Sequence, residues 1–319
     1  MASLFDRTHV PPSTSWRSLS GLLILTCSLG WSFPVAAQTV PADQISQISV
    51  INALLLGQYA GTVPLSDVLP LGNFGLGTFD QLDGELIILD GEAYQARSDG
   101  SVRRCDPAMT TPFAMITPFD GEEQFDSPPV TSLDQFESSL KPRLPSQDLF
   151  VAIRVEAHFE TVSLRAVPRQ APPFRPLVDV VKDQSQWERK EIDGTLIGIR
   201  CPPWVTGIGI PGYHWHFLSR DRQSGGHVFD CRFTTANVSF DRCRTWVIRL
   251  GDAFEHQTQN LNQDLSQELD KVERQRGRQN PRPGGSPQPQ TQTQTQPLST
   301  SNDSPLPEKD QQKDGEPVP

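Results

Sequence analysis

Three of the chain's six histidines fall within 14 residues. They lie in Gly212-Tyr213-His214-Trp215-His216-Phe217 and in Ser224-Gly225-Gly226-His227-Val228-Phe229-Asp230. On a strand, side chains two apart share a face, so His214 and His216 point the same way. Leu218 to Gly226 is rich in turn formers, which lets the chain double back and set His227 roughly opposite His216. Three imidazoles then converge on one point. That is the ligand set of a catalytic zinc, with coordination left for water or substrate. By strand alternation Cys231 lies on the His227 face, as a fourth ligand or a buried thiol. His158 and His256 have no such company and read as structural or surface residues. A tri-histidine zinc could generate hydroxide for hydrolysis or hydration, or act as a Lewis acid on a carbonyl. A non-catalytic, exported metal-binding protein would also keep such a site. The residues alone leave these classes open.

The elements that must position the triad follow from local pattern. Gln47 to Tyr59 reads as a short helix. Gly77-Thr78-Phe79 leads into Leu82 to Leu89, and Asp90-Gly91 is a strong hairpin signal returning through Glu92 to Ala96. Asp99-Gly100 adds a second tight turn, giving a β-meander. Thr131 to Leu140 carries Leu133, Phe136 and Leu140 at helical spacing after a Thr/Ser cap, with Pro142 beyond. Leu149–Phe159 and Thr161–Val167 read as strands, and Pro176–Val181 as a short helix. Further strands are expected at Thr195–Arg200, Gly207–Ile210, Tyr213–Ser219, His227–Phe233 and Trp246–Leu250, then a polar helix from Leu261 to about Glu273. Asp83-Gly84-Glu85-Leu86-Ile87 echoes Asp193-Gly194-Thr195-Leu196-Ile197, which suggests an internal duplication. The fold class is α+β: two domains built on mixed, largely antiparallel sheets with few short helices, spanning 38–168 and 169–275.

The ends have a different character. Arg7 and Arg17 precede an apolar run from Leu19 to Phe33, and Val35-Ala36-Ala37 offers small cleavage residues, so residues 1–37 read as a signal peptide and the protein as secreted or periplasmic. Residues 276–319 hold nine of the 29 prolines, no aromatic residue and a Gln/Thr repeat, the composition of a disordered tail. The formal charge of −10, without a Lys/Arg cluster, excludes nucleic acid as a partner. No second long apolar stretch follows the signal, so no membrane partner is expected after cleavage. Cys105, Cys201, Cys231 and Cys243 survive cleavage and in an exported protein permit up to two disulfides of open pairing.

Taken in order, several blocks resemble the acetolactate decarboxylase family. Gly72-Asn73-Phe74-Gly75-Leu76-Gly77-Thr78-Phe79-Asp80-Gln81-Leu82-Asp83-Gly84-Glu85-Leu86-Ile87 is similar to the signature around the family's active-site glutamate. Leu149-Phe150-Val151-Ala152-Ile153-Arg154 and Val162-Ser163-Leu164-Arg165 resemble the strands leading to its arginine, and the two histidine blocks resemble its zinc-binding segments. The resemblance spans nearly all of residues 47–273. It implies a carboxy-lyase converting (S)-2-acetolactate to (R)-acetoin and carbon dioxide in acetoin and butanediol metabolism. His214, His216 and His227 would bind Zn²⁺ and stabilise an enediolate. Glu85 and Glu273 are then the candidate acids, with Glu268 a rival to Glu273. Arg165 would orient the substrate carboxylate or the proton donor, and Thr78 would contact substrate. The resemblance leaves room for a homodimer. The tail and the export signal are extra to the family core.

Overall fold

The computed structural model describes residues 40–256 and 258–274; the expected signal peptide and tail lie outside the described residues. In chain order the elements are β1 (Gln44–Ile48), α1 (Ile51–Leu55), β2 (Val63–Pro64), α2 (Leu65–Val68), β3 (Phe74–Thr78), β4 (Glu85–Leu89), β5 (Glu92–Ala96), β6 (Val102–Arg104), β7 (Thr110–Thr111), β8 (Ala114–Thr117) and β9 (Glu123–Ser127). They continue with α3 (Leu133–Leu140), β10 (Phe150–Ala166), α4 (Leu177–Val180), β11 (Ser185–Cys201), β12 (Gly212–Ser219), β13 (Gly225–Cys243), β14 (Thr245–Arg249) and α5 (Ser266–Arg274).

Two main sheets result, as the α+β reading with few short helices expects. The first has seven strands in the order β14-β1-β8-β3-β4-β5-β6, mixed because β1 pairs β14 in parallel while its other pairs are antiparallel. The second is antiparallel, in the order β10-β11-β12-β13-β9, and β10 also pairs β13. That extra pairing curls the sheet back on itself. Strands on both sides of residue 168 enter each sheet: β9 and β10 belong to the second, and β14 returns to the edge of the first.

The sheets pack face to face. Ile87 and Leu89 of β4 join Ala152, Ile197, Ile199 and Leu218 of the second sheet in one core. The alternate residues Leu86 and Ile88 bury on the outer face with Leu65 and Val68 of α2. Covering on both faces explains why Leu86 to Leu89 is continuously apolar rather than alternating. The far face of the second sheet carries Val151, Ile153 and Val155 against Leu133, Phe136 and Leu140 of α3. The Ser132 side chain caps α3 by accepting from Gln135 N at 3.2 Å, as the Thr/Ser signal requires. The meander forms as read, with Asp90 and Gly91 at φ 55° and 79°.

Some expectations need correction. Gln47–Tyr59 is not one helix: Ser49 at φ 67° separates β1 from the five-residue α1. Gly207–Ile210 is a turn, with Ile208 N and Gly209 N both donating to Val205 O at 2.9 Å. The strands expected at Leu149–Phe159 and Thr161–Val167 are one 17-residue strand, β10. The pentapeptide echo occupies unlike structures: Gly84 is a turn residue at φ 92°, whereas Gly194 lies within β11. All four cysteines in the described residues are free. Cys201 and Cys243 lie on strands flanking β10, about 10 Å apart at the usual strand spacing and beyond the roughly 7 Å that a disulfide spans.

Candidate metal and active site

The curled second sheet brings three strands together at one level. His216 of β12 sits opposite His227 of β13, and His227 sits opposite Arg165 of β10. Cross-strand partners share a face at about 5 Å, so register alone lines up two ligands and an arginine. His214, two residues from His216, completes the set, and the three histidines' ligand atoms all lie within 4.8 Å of one another. The expected turn between them is as read: Ser219 N donates to Ser224 O at 2.8 Å. The facing sheet supplies Glu85 at the start of β4, opposite Thr78 of β3. The backbone before Glu85 is set by Gly84 at φ 92°, where a Cβ would lie 2.4 Å from Ala96 O, a position closed to other residues. Glu273 arrives from α5.

The polar contacts fix much of the protonation. His216 Nδ1 lies 2.8 Å from Leu86 O. A carbonyl can only accept, so Nδ1 carries the proton and Nε2 keeps its lone pair. Arg165 Nη2 lies 2.8 Å from His227 Nε2, and guanidinium only donates, so this Nε2 carries no proton; its lone pair accepts from Arg165 here and becomes a metal ligand only when Arg165 gives it up. Burial holds both imidazoles well below the usual histidine range, His216 further disfavoured by His214 and His227 by Arg165. The His216 lone pair faces His214 Nε2 at 3.2 Å and Glu85 Oε2 at 3.4 Å. Three imidazoles whose ligand atoms crowd on one buried point are what a cation satisfies, so the residues fit a metal ion. The Leu86 carbonyl orients the ligand ring as outer-shell partners do.

The two carboxyls differ. Burial pushes Glu85 up to about 7, against the lowering pull of His214 and Arg165. Burial also works to raise Glu273, but His214 and Arg165 outweigh it and hold the group below the usual range. Glu273 Oε2 is 3.2 Å from His214 Nδ1 and 3.8 Å from His227 Nε2. One acid able to keep its proton near neutrality and one held ionised flank the triad, the kind of split that assigns acid and base roles.

Arg165, itself buried, donates through Nη2 also to Glu273 O at 3.1 Å and through Nη1 to Gln184 Oε1 at 3.4 Å. A cleft of about 610 Å³ opens over this cluster, reaching Thr78, Glu85, Arg165, His214, His227 and Glu273. Apart from Gln184, its other walls are apolar, including Leu54, Phe113, Ile210 and Val272. Thr78 lines it, with its hydroxyl donated to Gly84 O at 2.9 Å, which leaves the oxygen only as an acceptor toward a ligand.

The structure thus brings together Thr78, Glu85, Arg165, His214, His216, His227 and Glu273, and leaves out Cys231 and Glu268. Cys231 is elsewhere: β13 has an irregularity between the Ser163–Asp230 and Leu164–Val228 pairs, which flips the alternation and turns Cys231 into the core beneath α3. Glu268 does not line the cleft. His158 is exposed between Asp193 and Glu191 at 2.9 and 3.2 Å; the side chain of His256 lies outside those described. Sequence reasoning missed Gln184 and the Leu86 carbonyl, because neither a lone glutamine nor a backbone acceptor leaves a spacing signal.

Comparison with known proteins agrees. A family model described as alpha-acetolactate decarboxylase matches residues 45–263. The alpha-acetolactate decarboxylase of Methanosarcina mazei is 40% identical over 73% of this chain and 81% of its own length, and that of Bacillus subtilis is 36% identical over 73% and 92%. The crystal structure of the Bacillus subtilis strain 168 enzyme superposes with a TM-score of 0.70 at 35% identity, covering 72% of this chain and 99% of the other. By sequence and by structure, the chain belongs to the alpha-acetolactate decarboxylase family.

Proposed function

We propose that the chain is an exported zinc enzyme that decarboxylates (S)-2-acetolactate to (R)-acetoin. The family gives the reaction. The observation that carries the mechanism is the pair of unlike carboxyls, Glu85 and Glu273, flanking His214, His216 and His227 beside Arg165. Three imidazoles without a thiolate are the donor set of catalytic zinc. Zinc held there would supply Lewis acidity toward the substrate's ketone and hydroxyl oxygens.

The chain's own groups do the rest. The Arg165 guanidinium orients the substrate carboxylate and sets the breaking bond against the site. When carbon dioxide leaves, the bonding electron pair delocalises toward the ketone oxygen, and one proton must reach the carbon. Glu85, buried beside the triad on the facing sheet, delivers it. Glu273, ionised, holds His214 in place; the substrate hydroxyl keeps its proton into the product, and Glu85 regains its own from solvent once acetoin leaves. Apolar walls keep water from competing as the proton source, and delivery from one side gives one enantiomer.

The test is acetoin formed from racemic 2-acetolactate, resolved by chiral chromatography, with zinc measured on the same protein. Acetoin of one hand from half the racemate, and loss of zinc in His216→Ala, support the proposal. Ester or carbon dioxide hydration turnover without acetoin would replace it with the hydrolase or hydratase class.

A further inference from the structure

We propose that Asn52 is a positioning residue for the reaction: from α1 it seats the C-terminal helix α5, and through α5 the Glu273 carboxylate. The inference rests on the catalytic role given above to Glu273.

The helix α5 brings Glu273 into the site with few anchors. Its sequence, Ser266-Gln267-Glu268-Leu269-Asp270-Lys271-Val272-Glu273-Arg274, is mainly polar, and Leu269 and Val272 are its buried apolar side chains. Apolar burial is non-directional, so these two contacts hold a stripe of the helix to the body but resist sliding or rotation weakly. Directional bonds must set the last ångström. At the distal end Arg165 Nη2 donates to Glu273 O at 3.1 Å and the Glu273 carboxyl meets His214 Nδ1 at 3.2 Å. Before the helix, Gln259 Nε2 makes an exposed bond to Leu56 O at 2.9 Å, and the buried Asn52 Nδ2 donates nearer the helix, to Leu261 O at 2.8 Å and to Gln263 O at 3.0 Å. Both amide hydrogens therefore go to a segment some 210 residues away in sequence. That segment leads straight into α5, whose first turn is tied to Asp264 by Ser266 N at 3.1 Å.

Asn52 is itself rigidly held. It is 4% exposed, and its backbone N–H donates to Gly207 O at 3.3 Å. Gly207, at φ 81°, packs close to its amide: a Cβ there would lie 3.1 Å from Nδ2. The flanking Ile51 and Leu54 line the cleft. One short helix thus forms cleft wall on one side and clamps the incoming C-terminal segment on the other. Aspartate would present acceptors to two carbonyls, and alanine would leave both unpaired.

The experiment is a double-mutant cycle in the zinc-loaded full chain, Asn52→Ala and Glu273→Gln, singly and together, with hydrogen exchange of residues 266–274 in each. Misplacing a catalytic group by about 1 Å costs on the order of 100-fold, so Asn52→Ala should lower kcat about 10- to 100-fold with little change in KM. In the Glu273→Gln background it should cost less than about twofold, and exchange in 266–274 should quicken. Asn52→Asp, which keeps the volume, replaces Asn52→Ala if the latter does not fold. Unchanged kcat, unchanged exchange, or a loss that persists in full in the Glu273→Gln background overturns the proposal. If Glu273→Gln alone keeps full turnover, the catalytic reading of Glu273 fails, and the positioning role falls with it. If the parent makes no acetoin, the functional reading fails separately, and exchange still decides whether Asn52 seats α5.

Discussion

Arg165→Lys keeps a positive charge but not the fork that delivers it. In the metal-free structure the guanidinium reaches His227 Nε2, Glu273 O and Gln184 Oε1 from one buried position; with His227 given to the metal, the Glu273 and Gln184 bonds remain and the freed N–H can turn to the substrate carboxylate. A lysine amine is a point donor on a shorter, unbranched head and cannot span these directions together. At least one charged hydrogen bond is lost, and such bonds contribute about 1.5–3 kcal/mol. Were that expressed in the transition state, kcat/KM would fall about 10- to 100-fold, at 1.4 kcal/mol per tenfold. Retained charge should keep Glu273 ionised, since Arg165 helps hold that group below its usual range. Zinc content should stay near one per chain. The assay is steady-state acetoin formation over a range of 2-acetolactate, with metal analysis on the same preparation. A variant within twofold of the parent would refute the claim that the fork, and not only the charge, orients the substrate.

Other predictions follow from the same geometry. Glu85→Gln removes the titrating proton at nearly constant size and should cost about 100-fold or more in turnover, with zinc retained; near-normal acetoin production would move the acid role to Glu273 or to bound water. In the metal-free chain His216 and His227 titrate well below their unfolded values. Below about pH 6.5 the unfolded chain binds more protons at these two sites, so their stability contribution is lost on acidification. Glu85, pushed up to about 7, works the other way from its unfolded value to that pH. With two groups against one, stability of the metal-free chain should fall on acidification through this range, measured by denaturant unfolding; His227→Gln should flatten the slope, and an unchanged slope would contradict the assignment. Truncation after Gln275 should shift the melting temperature and turnover little, because the removed segment has almost no apolar surface to bury; a large fall would show that it packs on the core.

The site was more legible in the sequence than the scaffold, for physical reasons. His214, His216 and His227 lie on a regular strand and the start of its hairpin partner, where a period of two decides which way a side chain points. Cys231, four residues on, was misread because a single irregularity in β13 reverses the alternation. β9, Glu123–Ser127, is a largely exposed strand of acidic and polar residues, and the first half of β11 is charged and half-exposed. Neither carries the apolar run that marks a strand. The helix read from Gln47 takes in the end of β1 because Ile51, Leu54, Leu55 and Leu56 carry the helical spacing and nothing in the residue type of Ser49 signals its positive φ. Which sheet each strand joins depends on long-range pairing, such as β14 returning beside β1, and local pattern does not encode that.

The central claim is that a metal held by His214, His216 and His227 makes this cleft a decarboxylase. The direct measurement is acetoin formation from racemic 2-acetolactate by metal-stripped protein titrated with zinc. Turnover should be near background without metal, rise in proportion to added zinc, and level off at one equivalent per chain, while His216→Ala should stay near background throughout. Stripped protein that turns over as fast as loaded protein, or a His216→Ala variant that responds like the parent, would contradict it.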